Sequence, residues 1–133
     1  MQLAPHDVPC MELRAEENRS RQSILILRLF DKWNLSAGDQ LNLLGLNPTN
    51  QAFLEKYRNG NPLSVSRDMQ DREGWLLHIH RMLRILYPQN PELRYSWVSR
   101  RNRAFDNLPP MELMKEEGLV GIFKVARYLE GQC

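Results

Sequence analysis

Residues 22–47 read QSILILRLFDKWNLSAGDQLNLLGLN, and the choice between helix and strand in this stretch decides the fold. Ile24 to Leu27 is an aliphatic run, half of it β-branched, that would suit a strand. Yet Ile26, Leu29, Phe30 and Trp33 recur at i, i+3, i+4 and i+7 with polar residues between them, which is one face of a helix. Ile24 and Leu27 widen that stripe. No Gly or Pro interrupts Arg14 to Lys32, so the spacing predicts a helix over that span. Ser36 is then a good N-cap, with Asp39 filling the acidic first-turn role three residues later. The short helix from Ala37 to Leu44 must stop at Gly45, which tolerates the left-handed conformation of a helix end.

Working outward, Pro48 suits a first helical turn because it has no N–H to satisfy. A helix from Pro48 to Arg58 follows, with Ala52, Phe53 and Tyr57 inward and Asn59-Gly60 as its end. Two short helices joined by a Gly-containing turn form a helix-turn-helix pattern. Ser66 caps a long helix, Arg67 to Tyr87, stopped by Pro88. Its apolar stripe is Trp75, Ile79, Met82, Leu83 and Leu86, with Arg67, Arg72, Arg81 and Arg84 on other faces. Gly74 costs about 1 kcal/mol relative to Ala inside that helix, which suggests a close helix crossing there. A short helix, Glu92 to Val98, leads to the basic loop Ser99 to Arg103. Pro109-Pro110 opens a helix from Met111 to Glu117, stopped by Gly118. The last helix, Leu119 to Glu130, turns Leu119, Ile122, Phe123, Ala126 and Leu129 inward. Residues 1–13 hold two prolines and no sustained period, and read as a mobile leader. The expectation is an all-α chain: leader 1–13, a helix-turn-helix unit 14–87, and a three-helix unit 88–133.

A 42% hydrophobic and 26% charged composition provides for a real core and argues against wholesale disorder. The net charge of +2 hides an uneven distribution. Residues 67–103 carry eight arginines against four acids, whereas residues 104–133 carry three bases against five acids. A basic middle section can face phosphates or an acidic protein, or be a solvated helix face. Cys10 and Cys133 are too far apart in sequence to suggest a disulfide framework, and no secretory segment opens the chain, so a cytoplasmic setting is expected. The longest apolar run, Ile24 to Leu27, is far too short to cross a bilayer.

Catalytic and metal signatures are absent from the sequence. His78 and His80, two apart on a helix, diverge by roughly 200° and cannot share a metal; His6 stands alone. There is no CxxC, HExxH, phosphate-cradling Gly-rich loop or GxSxG. Glu116 and Glu117 adjoin and diverge, unlike paired catalytic carboxylates. No enzyme, cofactor or metal is expected. A DNA reading rests on the start of the second short helix, where Thr49, Asn50 and Gln51 would enter the major groove. Asn and Gln can pair with adenine edges, and Lys56 and Arg58 can reach phosphates, although Glu55 repels them. The alternative is that these helices only pack the core or a dimer interface. Apolar residues left over from Ile24 to Leu27 leave room for a homodimer.

Taken together, these residues resemble the Xre/MbcA/ParS-type antitoxins. Trp33-Asn34-Leu35-Ser36 and Leu43-Leu44-Gly45-Leu46 are similar to the opening of that family. Arg72 with Leu76, Leu77, Ile79, Leu83 and Leu86-Tyr87 looks like its long helix. Trp97-Val98, Asn102, Phe105, Pro110, Leu113-Met114 and Gly118-Leu119 resemble its C-terminal toxin-binding segment. The resemblance covers roughly residues 20–133. Arg101 stands where the family often has Pro, Asn107 replaces a common turn Gly, and Leu108-Pro109 replaces a common Thr cap. The resemblance implies an Xre-like helix-turn-helix unit, a toxin-binding unit, and as partner a RES-domain toxin that consumes NAD and is blocked at its active site. The helix-turn-helix reading adds operator DNA as a candidate partner, and a stand-alone helix-turn-helix DNA-binding regulator is the alternative reading. Toxin contact would fall on Arg100, Arg101 and Asn102 of the basic loop and on Arg127, Tyr128, Glu130, Gly131, Gln132 and Cys133 of a projecting last helix. Glu130 and a terminal carboxylate would meet arginines shaped for NAD phosphates, with Arg127 and Tyr128 as anchors.

Overall fold

In the computed structural model, residues 8–133 are described, with side chains from Glu17 onward; residues 1–7 of the expected leader lie outside them. Seven helices follow in order: α1 (Val8–Lys32), α2 (Ala37–Leu43), α3 (Ala52–Arg58), α4 (Arg67–Leu86), α5 (Pro91–Ser96), α6 (Pro110–Glu117) and α7 (Leu119–Gln132). Single 3₁₀ turns occupy Trp97–Ser99 and Arg103–Phe105. The described residues contain no strand, only an isolated antiparallel bridge between Asn102 and Leu108. The all-α expectation is borne out. No helix among them is long and apolar enough to cross a membrane.

Local signals set the helix ends. Ser36 Oγ accepts from the Asp39 N–H (3.2 Å) and Ser66 Oγ from the Met69 N–H (3.2 Å), so both caps form as the sequence indicates. Gly45 has φ 72° beyond α2, and Gly118 has φ 63° between α6 and α7. Most boundaries fall within two residues of expectation, and two differ by four or more. α1 begins at Val8 rather than near Arg14. α3 begins at Ala52, because Asn47 bends the chain first: its Oδ1 accepts from the Thr49 N–H (3.0 Å) and hydroxyl (2.8 Å). That delay leaves Ala52 and Phe53 exposed, and Leu54 becomes the buried anchor of α3.

The core forms around α4. Ile26, Leu27, Phe30 and Trp33 of α1 are buried with Leu76, Ile79 and Leu83 of α4 and Ile122, Val125, Ala126 and Leu129 of α7. Each such aliphatic side chain contributes about 1.5–3 kcal/mol by leaving water. The stripe on α4 is Met69, Glu73, Leu76, Ile79 and Leu83, with Trp75, Met82 and Leu86 half-buried at its margin. Burial comes from several sides of α4, which packs against α1, α5 and α7, so its inward face is broader than a single stripe. Ser23 ties the loop before α4 to α1: its hydroxyl donates to the Arg19 carbonyl (3.0 Å) and accepts from the Leu63 N–H (2.9 Å).

Gly74 does not mark the close crossing. Nothing lies within 4 Å of where a Cβ would stand there. The crossing falls instead at Gly121, where an added Cβ would meet the Leu113 carbonyl oxygen at 2.4 Å. α6 and α7 therefore form a tight helical hairpin. Gly121→Ala is predicted to destabilise the fold by about 1–3 kcal/mol through overpacking against backbone. Gly74→Ala is predicted to stabilise it by up to about 1 kcal/mol. Urea unfolding of the two variants reads both signs.

Glu73 is buried, and burial pushes its carboxyl up to about 7, opposed by the nearby Arg19. A carboxyl raised in the folded state binds more protons there than in the unfolded chain. Its contribution therefore favours folding below the unfolded value of 4.5 and is lost as pH rises through about 7. Glu73→Gln should stabilise the fold at pH 8, by about 3 kcal/mol at most, and should be close to neutral at pH 4.5. Thermal unfolding at the two pH values measures the difference.

Candidate functional site

Polar ties join α2 to α4 and to α6. Arg72 donates through Nε to Asp68 (2.8 Å) and through Nη1 to the Leu43 carbonyl at the end of α2 (3.1 Å). Sequence phase places this arginine off the apolar stripe of α4, yet its side chain is only 13% exposed. Lys115 of α6 bridges Glu112 (3.2 Å) and Asp39 of α2 (3.4 Å).

The last helix does not project. It lies along α4 and α6, held by Phe123 edge-on to Trp75 (5.0 Å between centroids) and by His78 Nε2 with Glu130 Oε1 (2.9 Å). The projecting rod is thus corrected to a packed one, because Ile122, Val125, Ala126 and Leu129 repeat at i, i+3, i+4 and i+7 and bury together. Phe123, expected inward, is 43% exposed. With Val120, Lys124 and Arg127 it makes an outward stripe continued by Gly131. The four-residue spacing of Val125 with Leu129, beside Ile122 and Ala126, was the signal that would have placed Phe123 outside.

The structure brings the two C-terminal residue sets to one end of the molecule. Tyr128 stacks on Trp97 (6.2 Å) and meets Phe105 edge-on (5.1 Å), which flank the basic loop on either side. Within that loop Arg100 donates to the Ser96 hydroxyl (2.9 Å), while Arg101 and Arg103 are exposed. Asn102 organises the turn itself. Its Oδ1 accepts from the Ala104 N–H (2.9 Å), and its carbonyl accepts from Phe105 and Asn107. Asp106 and Asn107 take left-handed φ values of 56° and 63°, so Asn107 serves where a Gly would. Pro109 precedes α6 without a side-chain cap bond. Glu130 is engaged by Arg127 (2.9 Å) as well as His78; Gly131, Gln132 and Cys133 are exposed, with Cys133 Sγ 3.5 Å from Met82 Sδ.

The DNA set lies apart, on the α2–α3 side. Thr49, Asn50 and Gln51 are exposed, but in a turn rather than in the opening of a helix. Lys56 sits over the Phe53 ring (5.5 Å), and Arg58 pairs with Asp31 and approaches Glu55 (3.9 Å). α3 packs chiefly on α1, and α2 on α6. Among the described residues no three His, Cys, Asp or Glu side chains are grouped to hold a metal.

Residues 82–131, from the last turns of α4 through nearly all of α7, match the family described as the antitoxin Xre/MbcA/ParS C-terminal toxin-binding domain. Over 105 residues the chain is 34% identical to protein y4oB of Sinorhizobium fredii, itself described as uncharacterized, covering 79% of this chain and 78% of that one. No solved structure matches the chain.

Proposed function

We propose, for a chain that belongs to the Xre/MbcA/ParS-type antitoxins, that it neutralises a RES-domain, NAD-consuming toxin by covering the toxin's active-site cleft. The observation that carries this reading is the outward stripe of α7, inside the matched segment, where Val120 (58% exposed) and Phe123 (43% exposed) stand beside Lys124 and Arg127. Aromatic and arginine side chains framed by polar neighbours are the residue types that dominate binding energy at protein interfaces. The basic loop, Arg100 and Arg101 above all, adds charge at the same end, and Gly131 to Cys133 continue the stripe. Tyr128, Asn102 and Glu130 are half-buried and act by holding this surface in shape, whereas Lys124 and Arg127, paired with Glu117 (2.6 Å) and Glu130 (2.9 Å), stay exposed. Inhibition is steric: the chain occupies the cleft and performs no chemistry of its own.

DNA binding at the α2–α3 corner, and with it a stand-alone regulator, gains less support. The basic groups there are engaged by Asp31 and Phe53, and α3 spans only seven residues.

Coexpression with the cognate toxin tests the reading. Val120→Asp with Arg127→Ala should weaken the complex about 100-fold, or roughly 2.7 kcal/mol, and restore toxicity while helicity is unchanged. Deleting Gly131 to Cys133 should weaken it less. Full neutralisation by the folded double variant contradicts the assignment of this face.

A further inference from the structure

A groove of about 390 Å³ runs between α1, α4 and α5, on the flank of α4 away from α7. The α7 side of α4 uses Trp75, His78 and Met82, whereas the groove takes Leu77, His80 and Arg84, with Arg81 at the crest between the two, bordering Glu130 of α7 as well. The outward stripe of α7 contributes no residue to the groove lining. Its carbon surface comes from Leu77, Leu29, Tyr95 and the 49%-exposed Leu25. Arg28 and Lys32 stand on the α1 side, and Arg81 and Arg84 on the α4 side. No carboxylate lines the groove, and none of the four cations makes an ion pair among the described residues. Lys32 and Arg94 both lie 5.6 Å from the Tyr95 ring centre. His80, stacked on Tyr95 at 5.8 Å, is held below the usual histidine range by burial and then by Arg84 and Arg94.

Four like charges around one apolar trough repel each other unless an anion joins them. A phosphodiester backbone would answer the cations but not the leucines. An amphipathic helix answers both, with its aliphatic stripe on the trough and its acids on either side. We propose that this groove docks an acidic, amphipathic helix of a second protein, independently of the α7 surface.

The probe is a fluorescent synthetic peptide of about eighteen residues, five helical turns, with Leu at helical spacing and Glu elsewhere, titrated into the full-length chain by anisotropy. The controls are a scrambled peptide of the same composition and a labelled DNA duplex. The amphipathic peptide should bind at least about tenfold more tightly than the scrambled one. Leu25→Asp, and separately Arg28→Glu with Arg84→Glu, should each weaken it by about tenfold or more with unchanged circular dichroism. Should the charge reversal unfold the chain, Arg28→Gln with Lys32→Gln, both exposed, makes the same comparison. Absence of peptide binding, equal binding of the scrambled peptide, or tighter DNA binding lost on the same substitutions overturns the proposal. Retained toxin neutralisation by these variants shows that the two surfaces are separate.

Discussion

One inward-turned arginine sits where the end of α2, the body of α4 and the corner between α6 and α7 meet. The last carbonyls of α2 have no helical partner and form the negative end of its dipole. Arg72 supplies a fixed cation there, donating to the Leu43 carbonyl while Asp68 orients it from one turn earlier on α4. The guanidinium lies against Gly45, where a Cβ would stand 2.9 Å from its Cζ, and near Gly118, where a Cβ would stand 3.7 Å from its Nη2. The end of α2, the body of α4 and the corner between α6 and α7 thus converge on one group. Removing it would leave a carbonyl short of its partner, at a cost of about 1–3 kcal/mol.

From that corner α7 has one course. Gly121 allows it to close on α6, and Ile122, Val125, Ala126 and Leu129 seal it onto the core. The same packing that fixes α7 decides which residues it can offer to another molecule. Val120, Phe123, Lys124 and Arg127 face outward because the other half of the helix is consumed by the fold. A face built on a helix already packed against the core loses little ordering entropy when another molecule covers it. α4 acts as a post with two working flanks, one carrying α7 and the other forming a wall of the basic groove.

What was legible in the sequence was local. Ser36 and Ser66 as caps and Gly45 and Gly118 as stops each act within one turn and took their expected places, and Pro109-Pro110 opens α6 one residue earlier than expected, at Pro110 rather than Met111. The phase of α7 was misread because Phe123 is large and apolar, although Val125 completes the better stripe. The start of α3 was missed because an Asn47 side chain competes with helix formation only when the following residues fold back on it. Non-local charge chemistry was not legible at all. Arg58 meets Asp31 across 27 residues, and the groove gathers Arg28 and Lys32 with Arg81 and Arg84 from helices far apart in the chain. The resemblance located the C-terminal unit, while the division of labour within it, Tyr128 and Glu130 inward and Phe123 outward, came only with packing.

Hydrogen exchange of the chain with and without its cognate toxin tests the central claim most directly. The account predicts slowed exchange in α7 and the neighbouring loop of residues 99–108, with α2 and α3 unchanged. Exchange in α7 unaffected by bound toxin, or protection confined to α2 and α3, would contradict it.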